Sequence, residues 1–314
     1  MNWSACTVAE GPLQRIARDA GVDFVEGLLG LGPTDLQSVL LEVHRRLAGR
    51  LQPPAVLQRY ADSRFVRPAR VDPRVLSAFE QLAWSLLPDG YHPIELSPLS
   101  PLGTCSTLAA VDQNKAVATD RNVEVVSDSA NVLALEAALR RRAALRETDG
   151  GESIVRLAAS QRQVRAQHYG NRLPAHFQLL AVVTAGRASP KSSFECRALV
   201  EQVGYFVLLL RSWFPSGKVG VAVTDFLGRS RLIEDQVLAP LRELAPEAEM
   251  RVDLDRQAGR GYYLDLCYKL YVGADSGASV EVGDGGSTDW TRKLLSDRRE
   301  RLVIGGLAPE RLVV

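Results

Sequence analysis

Residues 154–187 read IVRLAASQRQVRAQHYGNRLPAHFQLLAVVTAGR. An apolar run with alternating small residues opens this stretch, and FQLLAVVT, rich in β-branched and aromatic residues, closes it. Between them stand Arg162, Arg165, Gln167, His168 and Arg172, with the turn residues Gly170, Asn171 and Pro174. Two such runs bounded by turn residues predict antiparallel strands joined by a long, basic, polar loop. Arginines at the lips of a hairpin suit a phosphate, because the planar guanidinium meets phosphate oxygens with two parallel N–H bonds. An ordinary solvated hairpin has the same composition, so the rest of the chain decides.

On the C-terminal side, residues 192–214 (SSFECRALVEQVGYFVLLLRSWF) predict a helix with a strongly apolar face. A strand follows at KVGVAVTDF, then a helix at RLIEDQVLAPLREL and a strand at AEMRVDL. The runs YYLDLCYKLYV and GASVEVG flank a glycine-rich turn at 273–277, a hairpin signal. Asp284-Gly285-Gly286 reads as a turn into the helix TDWTRKLLSDRRER, before a last strand at LVIGGL.

On the N-terminal side, Asp72-Pro73 caps a helix over residues 74–87, which ends at Pro88-Asp89-Gly90. The stretch YHPIELSPLSPLGTCS alternates like a strand, and its prolines assign it to a sheet edge. Val123–Val126 is a short strand, and Ser127 or Asp128 caps the helix that starts near Asn131. Before Tyr60 the apolar spacing predicts two helices, over 13–30 and 35–51, the second stopped by Gln52-Pro53-Pro54. His44 reads as solvated surface, and Tyr60–Val71 as a basic, irregular connector. Neighbouring strands are hairpin-joined rather than separated by helices. The pattern predicts an α+β fold with a mixed, mainly antiparallel sheet flanked by helices.

The 314 residues can bury a substantial core, and 46% hydrophobic with 24% charged residues is ordinary for a globular protein. A net charge of +1 exerts no whole-molecule pull toward nucleic acid or anionic membrane. The four cysteines, Cys6, Cys105, Cys196 and Cys267, form no C-x-x-C pair, so neither a zinc site nor a disulfide scaffold is expected. The start lacks a signal-peptide layout, and no apolar run reaches the roughly 18 residues of a membrane span. A cytoplasmic protein is the expectation.

Phosphate-binding P-loop, H-E-x-x-H, G-x-S-x-G and dinucleotide-binding signatures are all missing. Three segments taken in order do carry a pattern. Helix 74–87 precedes Gly90-Tyr91-His92-Pro93-Ile94, with Pro98 beyond; Val164-Arg165-Ala166-Gln167 is followed across the loop by Phe177; and Gly306-Leu307-Ala308-Pro309-Glu310-Arg311-Leu312 follows the last strand. Between them come Arg260-Gly261-Tyr262-Tyr263 and Gly285-Gly286-Ser287-Thr288-Asp289. In order and spacing these resemble the three motifs of the class II aminoacyl-tRNA synthetase catalytic core, most like histidyl-tRNA synthetase and its paralogue, the regulatory subunit of ATP phosphoribosyltransferase.

The resemblance implies ATP and Mg2+ as cofactors and an amino acid or related carboxylate as substrate. Arg165 would grip the α-phosphate and Arg311 the γ-phosphate, with Phe177 stacked on adenine and Gln167 beside it. Asp128, Arg260, Tyr262 and Tyr263 would face the amino acid, and Glu281 the metal. It also implies a homodimer through Arg74–Gly103, and a carrier protein, tRNA or enzyme as further partner, with no membrane role. The expected organisation is a helical appendage over 1–59 and a core over 60–314 without an anticodon-binding domain. Gln167 replaces the second-motif glutamate, and Ser287 replaces an arginine that the family carries. Two functions therefore stay open: adenylation for an acceptor not chosen by anticodon, or an inactive regulatory or assembly subunit.

Overall fold

The computed structural model describes residues 11–147, 153–167, 174–273 and 279–312. The chain divides into two compact units, Met1–Arg59 with Thr119–Asn122, and Tyr60–Ala118 with Val123–Val314.

The N-terminal helices are α1 (Pro12–Ala20), α2 (Phe24–Leu29), α3 (Pro33–Ala48) and α4 (Pro53–Asp62). The predicted helix over 13–30 is broken at Gly21, whose φ of 71° lies in the left-handed region that glycine enters without cost. Pro53-Pro54, expected only to stop a helix, instead starts α4, because proline's fixed φ suits the first helical turn and its missing N–H is not needed there. Helix α4 thus takes the first residues of the predicted irregular connector. His44, read as bare surface, has its Nδ1 3.1 Å from Asp120 Oδ2 within the same unit.

In the second unit, α5 (Pro73–Ser85) is capped by the Asp72 carboxylate, which accepts from the Arg74 N–H at 2.9 Å. An eight-stranded sheet follows. Its strands are β1 (His92–Pro93), β5 (Val155–Val164), β6 (His176–Arg187), β7 (Lys218–Asp225), β8 (Glu249–Val252), β9 (Leu266–Gly273), β10 (Ser279–Thr288) and β11 (Glu300–Leu307), in the spatial order β1-β5-β6-β11-β10-β9-β7-β8. The six central strands pair antiparallel; β1 and β8 join the edges in parallel. The hairpin that opens the sequence reading is β5–β6, with Val164 opposite His176. His168, Gly170, Asn171 and Arg172 lie outside the described residues. Strands β2 (Leu99–Pro101), β3 (Val117–Ala118) and β4 (Val123–Val125) form a small second sheet, with the short helix α6 (Thr104–Ala109) between β2 and β3 in the chain.

Helices cover both faces. The apolar side of α8 (Ser193–Trp213), including Leu199, Val203, Phe206 and Leu210, packs with Val219, Val221, Tyr268 and Val303. On the opposite face α7 (Ser129–Glu147) buries Leu133, Ala134 and Ala137 against Leu157, Ala181, Val183 and Ile304. The predicted helix at 231–244 runs as α9 (Ser230–Ile233), a π-helical turn Glu234–Leu238, and α10 (Ala239–Leu244). Pro240 has no N–H for an α-type bond to the preceding turn, which is where the wider turn sits.

Asp284-Gly285-Gly286 is the main local correction. It is no turn but the middle of β10, paired with Gly306, Gly305 and Ile304 of β11. The glycines serve close approach: a Cβ at Gly285 would collide with the Ile304 carbonyl and the Tyr268 ring, and one at Gly286 would lie 2.5 Å from the Leu266 carbonyl. The helix that follows, α11 (Trp290–Leu295), is correspondingly shorter than predicted.

Candidate functional site

A cavity of about 930 Å3 opens on the α7 side of the sheet, over β6, β10 and β11. Its size falls in the range of small-molecule sites, roughly 300–1,000 Å3. Among the residues that line it are Asp128, Arg165, Phe177, Tyr262, Tyr263, Glu281 and Arg311.

Arg165 sits just past the end of β5, where its backbone N–H donates to the Ala175 carbonyl at 2.7 Å and extends the hairpin. Its Nε donates to the Ser127 carbonyl at 2.9 Å, and its Nη2 lies 3.4 Å from Asp128 Oδ2. The guanidinium carbon is 5.1 Å from the Phe177 ring centroid. Asp128 caps α7 as predicted, Oδ1 accepting from the Ala130 N–H at 3.0 Å, while Oδ2 accepts from the Tyr262 hydroxyl at 2.9 Å. Burial, with the Asp128 charge behind it, pushes the Tyr262 hydroxyl well above its ordinary range. Tyr262 is therefore a neutral donor at physiological pH.

A second tyrosine–carboxylate pair stands beside the first. The Tyr263 hydroxyl donates to Asp284 Oδ2 at 3.0 Å, and the two rings meet edge to face at 4.9 Å. Burial pushes the Asp284 carboxyl up, although the Tyr263 hydrogen bond and Arg256 pull it back. Its side chain still keeps 47% of its surface open, because the surrounding protein is the wall of a cavity rather than packed core.

At the rim, Arg311 belongs to the 3-10 turn Pro309–Arg311 that follows β11, and its Nη1 donates to the Glu281 carbonyl at 2.8 Å. Glu310 of the same turn pairs with Arg162 at 2.7 Å and accepts from the Gln178 N–H at 3.1 Å, tying the turn to the hairpin. His176 joins hairpin and connector. Its Nε2 faces the Arg67 carbonyl at 2.6 Å and its Nδ1 faces Arg162 Nη1 at 3.0 Å. A carbonyl only accepts and a guanidinium only donates, which assigns the proton to Nε2.

Two of the expected residues are not brought into the cavity. Arg260 is exposed and lies over the Phe226 ring, 4.7 Å from its centroid. Gln167 does not line the cavity, and its carbonyl accepts from Arg64 at 3.3 Å. Ser287 is buried and donates to Asp265. Sequence reasoning missed Asp284, hidden by the turn reading, and Arg64, Arg67 and Arg70, which the basic connector contributes to the lining. The connector's composition was the available signal.

The donor set does not fit a resident metal. Glu281 Oε2 is taken by the Lys269 ammonium at 2.7 Å, and among the described residues no group of three or more His, Cys, Asp or Glu side chains can hold an ion. The side chains are of a kind that suits a nucleoside triphosphate, since the lining combines Arg165 and Arg311, with Arg64, Arg67 and Arg70, and an aromatic face.

Gly306 opens the floor. It pairs with Asp284, and a Cβ there would lie 3.3 Å from the Leu179 side chain on the cavity side. Gly306→Val suits extended backbone but puts a branched side chain into the cavity. It is expected to leave the circular-dichroism spectrum unchanged and to weaken small-molecule binding by about tenfold or more, a change of about 1.4 kcal/mol by titration.

An antiparallel sheet with this hairpin, this last strand and turn, and helices on both faces gives a fold like that of solved histidyl-tRNA synthetases. Solved structures share it. The ATP phosphoribosyltransferase regulatory subunit/histidyl-tRNA synthetase from Bacillus halodurans C aligns with a TM-score of 0.58 at 15% identity, over 79% of this chain and 82% of that one. Apo histidyl-tRNA synthetase from S. aureus gives 0.55 at 14%, over 78% and 68%. Histidyl-tRNA synthetase from Nostoc sp. PCC 7120 gives 0.54 at 12%, over 80% and 73%. No protein-family model and no curated protein sequence matches the chain. Among the described residues, no helix is long and apolar enough to cross a membrane.

Proposed function

We propose that this chain activates an amino acid or related carboxylate with ATP and passes it to an acceptor such as a carrier protein, a tRNA or a partner enzyme. One observation carries the reading: Arg165, Phe177 and Arg311, far apart in sequence, line one cavity together with Asp128 and the tyrosine pair. In the proposed reaction a substrate carboxylate oxygen bonds to the α-phosphorus, and the bond from that phosphorus to the pyrophosphate oxygen breaks. Pyrophosphate leaves with the electron pair, and a mixed anhydride remains. Arg165 holds the α-phosphate and Arg311 the γ-phosphate, offsetting charge that grows in the transition state. Phe177 offers a ring face to adenine, and Asp128 with Tyr262 supplies the countercharge for an ammonium group. A second copy packed through Arg74–Gly103 belongs to the same proposal.

A regulatory subunit is the second reading. Arg260 turned onto Phe226 and Ser287 held by Asp265 favour it, because neither position then presents a cation to the cavity. ATP–pyrophosphate exchange with pooled amino acids and magnesium separates the two. Exchange that depends on one amino acid supports the enzyme. ATP binding without any exchange supports the regulatory subunit.

A further inference from the structure

Among the carboxylates that line the cavity, Glu281 is hydrogen-bonded to the Lys269 ammonium and Glu310 to the Arg162 guanidinium, whereas the hydrogen bond to Asp284 comes from a neutral hydroxyl. Both oxygens of Asp128 are engaged, Oδ1 by the Ala130 N–H and Oδ2 by Tyr262 and Arg165. Among the described residues Asp284 receives one hydrogen bond, from Tyr263 on Oδ2, and none of them donates to Oδ1. Neither nearby cation hydrogen-bonds it, although Arg256 faces the carboxylate as an ion pair. Arg256 Nη2 stands 3.8 Å from Oδ2, beyond hydrogen-bond range, with its Nε and Nη1 given to the carbonyls of Ala258 and Tyr268. Lys269, opposite Asp284 across the β9–β10 pairing, spends its ammonium on Glu281.

Toward β11 and β6 the cavity wall beside Asp284 is aliphatic. Its partner on β11 is Gly306, which lets the Leu179 side chain approach so closely that a Cβ there would lie 3.3 Å from it, and Ile304 lies two positions along the same strand. A carboxylate oxygen without a donor, reached past aliphatic walls, suits methylenes that end in a cation. Desolvation already disfavours the bare charge, so an incoming cation relieves a cost that a neutral ligand leaves in place.

We infer that Asp284 selects the substrate: the cavity takes a straight-chain amino acid whose side chain ends in an ammonium or guanidinium group, which meets Asp284 while the α-ammonium faces Asp128. This rests on the proposed amino-acid activation at the same site.

The test is calorimetric titration of the full chain with L-lysine, L-ornithine, L-arginine, L-histidine, L-norleucine and L-glutamate, and separately with ATP. At least one of lysine, ornithine and arginine binds tenfold or more tighter than norleucine, and Asp284→Asn erases that preference. Asparagine keeps the shape and an oxygen for the Tyr263 hydroxyl, and a thermal melt of the variant verifies that it folds. Equal binding of norleucine and lysine, a preference for histidine, or a lysine preference that survives Asp284→Asn each overturns the inference. If ATP still binds in those cases, the nucleotide assignment stands while the substrate class falls. If neither ATP nor any amino acid binds, the activation reading fails with it.

Discussion

Replacing Arg141 with alanine lowers the unfolding free energy by about 3–5 kcal/mol, the cost of removing one partner from a buried ion pair. The side chains of Arg141 on α7 and Glu300 on β11 are both 0% exposed. They meet through two parallel bonds, Nε to Oε2 at 2.9 Å and Nη2 to Oε1 at 2.7 Å. Arg141 also donates to the Ser153 carbonyl and, at 3.1 Å, to the Ser153 hydroxyl. Without it, Glu300 keeps only Arg187, whose Nε stands 3.6 Å away and whose Nη2 lies 3.6 Å from Asp297. Thermal melting reads the loss as a fall on the order of 10 °C, at roughly 2–4 °C per kcal/mol for chains of this size class. The double replacement Arg141→Met with Glu300→Leu recovers most of it, because no charge then remains buried alone. A single-variant loss below about 1 kcal/mol would place the pair in a wet, screened environment instead.

Arg165→Ala lowers the rate of ATP–pyrophosphate exchange by about 100- to 1,000-fold, the usual effect of deleting one preplaced donor from a charge-stabilising site. That corresponds to about 2.7–4 kcal/mol of transition-state stabilisation. Arg165 is the cation that the hairpin, the α7 cap and the Phe177 ring all position. Arg260→Ala is the contrast: it sits over Phe226 outside the cavity lining, and its loss changes the rate by less than about threefold, under 0.7 kcal/mol. Equal losses in the two variants would mean that Arg260 swings inward during the reaction. No loss in either would remove the phosphate assignment from Arg165.

How much of this was legible beforehand differs by element. The β5–β6 hairpin, α7 and α8 were readable because each is a long run of one character, apolar and β-branched in β6 and rich in alanine and leucine in the helices, bounded by turn or capping residues. The Asp128 cap was readable because a short acceptor before an apolar helix has one local use. Asp284-Gly285-Gly286 misled for a physical reason. Glycine serves a turn and a crowded strand equally well, and what crowds it here, the Ile304 carbonyl and the Tyr268 ring, comes from two other strands. Pro53 misled in the same way, since proline ends one helix and begins another with the same fixed φ.

The sequence by itself determined the strands, the helices and the order of the three motifs, because propensity, capping and apolar period act over a few neighbouring residues. That order pointed to a class II synthetase-like core, with Arg165, Phe177 and Arg311 as the residues to examine. Only the tertiary structure decided which side chains share the cavity. It brought Asp284 in beside Tyr263, brought Arg64, Arg67 and Arg70 to the lining, and turned Arg260 away onto Phe226. Each of these depends on strand register and on a partner tens of residues distant, and register follows from how the whole sheet buries its two faces.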